Sequence, residues 1–168
     1  VPELHFVNGY HKNPTYLESL ANSISEDLEK HGMPQKMVFS YHGMPKQFLD
    51  NGDPYYCLCQ QTTRLVVEKL GLDKDKVITT FQSRFGKAEW LKPYTDATLE
   101  SLPSEGIKDI AIISPAFSAD CLETLEELEG ENREIFEEAG GEKYRYIAAL
   151  NDRDDHIDAM FDVLKPML

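Results

Sequence analysis

Apolar residues fall into two alternating patterns along the chain. Short runs at 4–7, 37–41, 77–81, 109–114 and 144–148 read as strands. Several are continuous apolar stretches, the form expected of parallel strands covered on both faces. Longer amphipathic segments lie between them, at 15–31, 60–70, 95–102, 122–139 and 154–164. In the first of these, Leu17, Leu20, Ala21, Ile24 and Leu28 recur at spacings of three and four, which builds one apolar helix face. Asn13-Pro14 is a helix start, and His31-Gly32 and Leu70-Gly71 are helix stops. Five strand–helix units in a row predict one α/β domain over residues 1–168, a three-layer α/β/α sandwich on a mainly parallel sheet with flavodoxin-like topology. The stretch 43–54 has no clear period and carries turn residues, so it reads as a long loop.

The 168 residues are enough for one self-sufficient core, and no apolar run approaches the roughly 20 residues of a membrane helix. A net charge of -13 disfavours a nucleic-acid partner and suits a cation or a ligand that carries one. Residues 120–139 hold nine acids and one base, so they carry eight of the thirteen net negative charges. Three cysteines, Cys57, Cys59 and Cys121, form no disulfide framework. The cysteines favour a reducing compartment, and a cytoplasmic protein is expected; the start at Val1 rather than Met suggests that residues before it were removed or omitted.

In open α/β sheets, ligands bind beyond the carboxyl ends of the strands. Three segments with reactive side chains follow predicted strands: 40–45, 82–86 and 114–123. His42 stands where a strand meets a Gly-Pro turn, and is either a proton carrier or a hydrogen-bonded strand-end histidine. Glu123 and Glu127, four apart, share one helix face, and Glu131, Glu134 and Glu138 continue that ridge as a solvated face. Leu122, Leu125, Leu128, Ile135 and Ala139 form the opposite, apolar stripe. Glu123 differs from the rest of the ridge because it lies in the first turn, nearest the strand edge, where a carboxylate pair can attract a divalent cation or relay protons. Cys57 and Cys59 lack zinc-knuckle spacing and read as buried structural thiols. His5, His11, His31 and His156 read as ordinary surface or strand-end residues, and no phosphate-binding glycine motif is present.

Those segments resemble the ferrochelatases, which insert ferrous iron into protoporphyrin. Phe39-Ser40-Tyr41-His42-Gly43-Met44-Pro45 is similar to the family's strand, histidine and Pro turn. Gln82-Ser83-Arg84-Phe85-Gly86, with Trp90-Leu91-Lys92-Pro93 and Thr95-Asp96, resembles its Gln-Ser to Trp-Leu-x-Pro segment. The run from Pro115 through Asp120-Cys121-Leu122-Glu123-Thr124-Leu125 to Glu127 resembles its second active-site motif, and Ala149-Leu150-Asn151-Asp152 its closing Leu-Asn segment. The resemblance covers the C-terminal half of a two-domain, chelatase-like protein of bacterial type.

The resemblance implies catalytic roles for His42, as the proton-accepting base, and for Glu123, as the opposing carboxylate, with both as metal ligands. It implies that Tyr41, Gln82, Ser83, Trp90 and Glu127 hold the porphyrin or support those that do, Trp90 being alternatively a core tryptophan. Ferrous iron and protoporphyrin IX enter as substrates, and no prosthetic group is implied. Because no cysteine follows Cys121, no [2Fe-2S] cluster is expected. The partner implied is the N-terminal half of the same protein, which supplies the second wall of the cleft, and peripheral membrane association is compatible with the resemblance. An isolated half is expected to be weakly active or inactive. Other readings on the same fold are a cobalt chelatase, a non-catalytic tetrapyrrole or metal carrier, and a plain flavodoxin-like binding module.

Overall fold

Helix α1 (Pro14–His31) begins where the Asn13 side chain accepts the Tyr16 amide and Pro14 takes the first turn. It buries Tyr16, Leu17, Leu20, Ala21 and Ile24. The computed structural model describes residues 2–167. The chain continues through β1 (Lys36–His42), α2 (Lys46–Asp50), α3 (Tyr55–Leu70), β2 (Val77–Gln82), α4 (Thr95–Ser101) and β3 (Asp109–Ile113). After β3 come α5 (Leu122–Thr124), a π-helical segment (Leu125–Glu131), α6 (Asn132–Glu138), β4 (Lys143–Ile147) and α7 (Asp154–Leu164). The four strands form one sheet, all parallel, in the order β2-β1-β3-β4.

The three-layer sandwich is thus present with four strands. The run 4–7 forms no strand, and Leu4, Phe6 and Val7 are exposed. A strand needs a hydrogen-bonded neighbour, and the described residues offer this run none. The loop over 43–54 contains the short helix α2, and α3 begins five residues earlier than the apolar period suggests.

Strand periodicity assigns the two layers. Met37, Phe39 and Tyr41 of β1, with Phe81, Ala111 and Ile113, pack against α1, α3 and α7. Val38, Ile110 and Ile112 face the other way, onto Leu99, Leu128 and Phe136. Chain order reverses at β1: its next strand lies on one side and β3 on the other. The crevice at the carboxyl ends of β1 and β3 is therefore a topological switch point, the place where such sheets bind ligands.

Ion pairs hold α7 to α1. Arg153 grips both carboxylate oxygens of Glu26, at 2.7 and 2.8 Å, and Asp155 accepts from Ser19 at 2.9 Å and Asn22 at 3.1 Å. Hydrogen bonds from Arg153, then from Asn22 and Ser19, hold the Asp155 carboxyl well below the usual carboxylate range. A depressed folded value stabilises the fold fully above the unfolded value of about 4 and loses that contribution as pH falls through the lower one. Asp155→Asn is therefore expected to lower the melting temperature at pH 7, with the gap closing in strong acid. Melts of both proteins across that range check this, and a gap independent of pH would refute it. Among the described residues no helix is long and apolar enough to cross a membrane.

Candidate active site

The alternation that points Tyr41 into one layer points Ser40 and His42 into the other. At the carboxyl end of the sheet, the layer facing α4 turns from apolar to polar. Ser40 Oγ donates to Gln82 Oε1 at 2.7 Å and lies 2.9 Å from Thr95 Oγ1. Thr95 Oγ1 donates to Thr80 Oγ1, and Ser114 Oγ to the Ser40 carbonyl at 2.7 Å. These residues are all buried. With its oxygen occupied by hydroxyls, Gln82 must present its amide N–H groups to the loop after β3. Nε2 donates to the Glu123 carbonyl at 2.7 Å and to Glu127 Oε2 at 3.2 Å. Ser83 adds its backbone N–H, 2.6 Å from Glu127 Oε1, and its hydroxyl to the other oxygen.

His42, the last residue of β1, is half-buried, with its Nδ1 2.7 Å from the Gly43 carbonyl. A carbonyl only accepts, so Nδ1 carries a proton, and loss of the other ring proton leaves the lone pair on Nε2. The Tyr55 hydroxyl donates to the His42 carbonyl at 2.8 Å, and the ring meets Phe117 at a centroid distance of 6.2 Å. Across the switch point, Glu123 opens the segment that follows β3. Its own amide N–H first, then the Cys121 thiol and the field of His42, hold its carboxyl below the usual range. The arrangement offers a lone-pair nitrogen and an ionised carboxylate on one edge. Among the described residues, no group of three His, Cys, Asp or Glu side chains could hold a metal ion.

The predicted site residues separate into two sets. His42, Gln82, Ser83, Glu123 and Glu127 converge, but Tyr41 does not. It is 3% exposed in the opposite layer, its hydroxyl paired with Thr63 at 2.9 Å. Trp90 is 6% exposed and packs behind the edge, its ring 5.3 Å from that of Phe85. The exposed apolar groups of these loops are Phe48, Phe85, Leu122 and Leu125, none of which reads as a site residue from spacing alone.

The acidic ridge is also corrected. A regular helix over 122–139 would align Glu123 with Glu127 and Glu131 and bury Leu122 and Leu125. The π-helical turns at Leu125–Glu131 shift that register, a device common at functional sites. Glu127 turns onto Ser83, Leu128 and Phe136 enter the core, and Leu122 and Leu125 face outward. Of the paired thiols only Cys59 is buried, where desolvation pushes its pKa up to about 12, and Cys57 is exposed. His156 is buried rather than superficial.

Comparison with known proteins decides the family. The family model described as Ferrochelatase matches residues 1–168. "Ferrochelatase 2" of Shewanella oneidensis is 64% identical over 168 residues, covering all of this chain and 51% of that protein. "Ferrochelatase" of Hydrogenovibrio crunogenus is 60% identical over 164 residues, 98% of this chain and 43% of that protein. The chain belongs to the ferrochelatase family. It spans about half the length of these curated relatives.

In this ferrochelatase-family chain, Gly43 joins the histidine to its surroundings. Its N–H donates to the Gln82 carbonyl at 2.8 Å, and an added Cβ would lie 2.6 Å from that oxygen and 3.1 Å from Trp90 Cε3. The obstruction is backbone, which cannot swing aside. Gly43→Ala is expected to destabilise the fold by ~1–3 kcal/mol, the usual cost of overpacking. Gly130→Ala, whose Cβ meets nothing nearer than 3.6 Å, serves as the control. Denaturant midpoints of the two variants check this, and equal midpoints would refute it.

Proposed function

We propose that this chain is the C-terminal half of an enzyme that inserts ferrous iron into protoporphyrin IX, and that it carries the residues that do the chemistry. One observation carries the reading: His42, with Nδ1 turned to the Gly43 carbonyl and Nε2 left over, shares the switch-point edge with Glu123, whose carboxyl is held below the usual range. Insertion replaces two pyrrole N–H bonds with iron–nitrogen bonds, so two protons must leave for each ferrous ion that enters. His42 Nε2 accepts a proton from the ring. Glu123 faces it as a ligand to the incoming iron or as the second acceptor. Gln82 holds the Glu123 backbone, and Ser83 fixes Glu127 behind it. Trp90 supports the turn at Gly43 from behind, and the exposed side chains of Phe85, Leu122 and Leu125 supply an apolar wall for the macrocycle.

Bending the ring exposes nitrogen lone pairs, with the strain drawn from binding energy elsewhere on the macrocycle. The preceding half of the protein supplies the opposite wall in this proposal. A cytoplasmic enzyme, in contact with a membrane surface at most, fits the same reading. The test is insertion by the full-length protein with ferrous iron, zinc and cobalt in parallel, on protoporphyrin and coproporphyrin. Iron insertion into protoporphyrin is expected, and activity with cobalt alone would overturn the proposal.

A further inference from the structure

Asn151 follows β4 and adopts the left-handed backbone conformation, at φ 48°. Apart from glycines, only Ser83 shares a positive φ among the described residues. Asn tolerates that region better than most residues, yet such conformations persist only where their surroundings enforce them. Here three of the enforcing contacts run to the loop that presents Glu123, and one comes from α7. The Asn151 N–H donates to the Ser118 carbonyl at 2.9 Å. Its side chain pairs reciprocally with Asp120: Oδ1 accepts the Asp120 N–H at 2.8 Å, and Nδ2 donates to Asp120 Oδ2 at 2.8 Å. From α7, His156 Nδ1 donates to the Asn151 carbonyl at 2.7 Å.

Asp120 passes the constraint on. Its second oxygen accepts from Tyr146 at 2.7 Å, Thr124 at 3.0 Å and the Ala149 N–H at 3.2 Å. Thr124 Oγ1 in turn accepts the Cys121 N–H at 2.9 Å. Glu123 lies between Cys121 and Thr124, and Gln82 holds its carbonyl from the other side. The turn that carries Glu123 is thus clamped twice, by Gln82 from β2 and by the Asn151–Asp120 pair from the end of β4.

We propose that Asn151 is a positioning residue for Glu123: by latching Asp120, it fixes the angle at which the loop after β3 presents the Glu123 carboxylate. The inference rests on the metal-insertion role proposed above for Glu123. Partners one step removed from a reacting group typically matter by 10- to 100-fold in activity. The latch is a matched amide–carboxylate pair, so exchanging its members keeps every hydrogen bond, whereas changing one alone opposes two carboxylates or two amides.

The experiment uses the full-length protein with Asn151→Asp, Asp120→Asn and the two combined. In steady-state iron insertion, each single variant is expected to lose roughly tenfold or more in kcat, with the porphyrin KM held within about twofold. The double variant is expected to recover to within about threefold of wild type. A double variant no better than the poorer single would overturn the latch, since it would mean that the Asp120 charge itself is required. Single variants within about twofold of wild-type kcat would overturn it as well. Amide hydrogen exchange at Cys121 and Thr124 is followed in the same proteins and is expected to quicken roughly tenfold in the singles and return in the double. Unchanged exchange would overturn the latch whatever the chemistry. Should a single variant not fold, Asn151→Ala takes its place with the same expectations. A wild-type protein that inserts no iron would instead overturn the proposed function, and the exchange data would still decide the latch.

Discussion

His42→Ala is expected to abolish iron insertion by the full-length protein while leaving its melt nearly unchanged. Removing a general base costs ~10² to 10⁴ in rate, and removing a metal ligand in the same step adds to that loss. The fold should tolerate the change because little of it depends on the imidazole. The ring is half-buried, its one polar contact is to the carbonyl of the next residue, and the backbone there is pinned independently by Tyr55 and by the Gly43–Gln82 hydrogen bond. Steady-state insertion with circular dichroism and a thermal melt on the same preparation decides the matter. Near-normal turnover in a folded variant would sink the assignment of His42.

Glu123→Gln should be far more damaging than Glu134→Gln, although the chemical change is the same. Glu123 opens the segment after β3 with its carboxyl held ionised, whereas Glu134 is exposed on α6, beyond the π-helical turns. The amide is nearly isosteric, and Gln82 grips the Glu123 backbone rather than its side chain, so the turn should survive the substitution. Loss of an electrostatic or proton-accepting group at a reacting centre costs roughly 10² to 10³ in kcat, and loss of a solvated surface charge about twofold or less. Paired steady-state measurements separate the cases. Equal losses would mean that the acidic segment acts as a bulk field. No loss in either would return Glu123 to the solvent face.

The sequence alone determined the layers. Four of the five strand-like runs are strands within one or two residues, because a buried parallel strand needs a continuous apolar run that spacing reveals directly. The segments bearing His42, Gln82 and Glu123 were legible as strand ends, since the chemistry of an open sheet gathers there. The run at 4–7 has the composition of a strand and lacks the partner, and only pairing makes a strand.

Tertiary structure decided what composition and period leave open. Which layer a strand residue enters depends on register: Tyr41 and His42 are neighbours, yet one is core and the other stands half-buried at the sheet edge. The acidic run looks uniform in sequence. The π-helical turns and the Ser83 contacts break it, so that Glu127 is anchored to Ser83 while Glu123 stays in the first turn after β3. Asn151 and Asp120 are 31 residues apart and carry no mark of partnership in the sequence. They meet because β3 and β4 are neighbours in the sheet, so the loops that leave their carboxyl ends must run side by side.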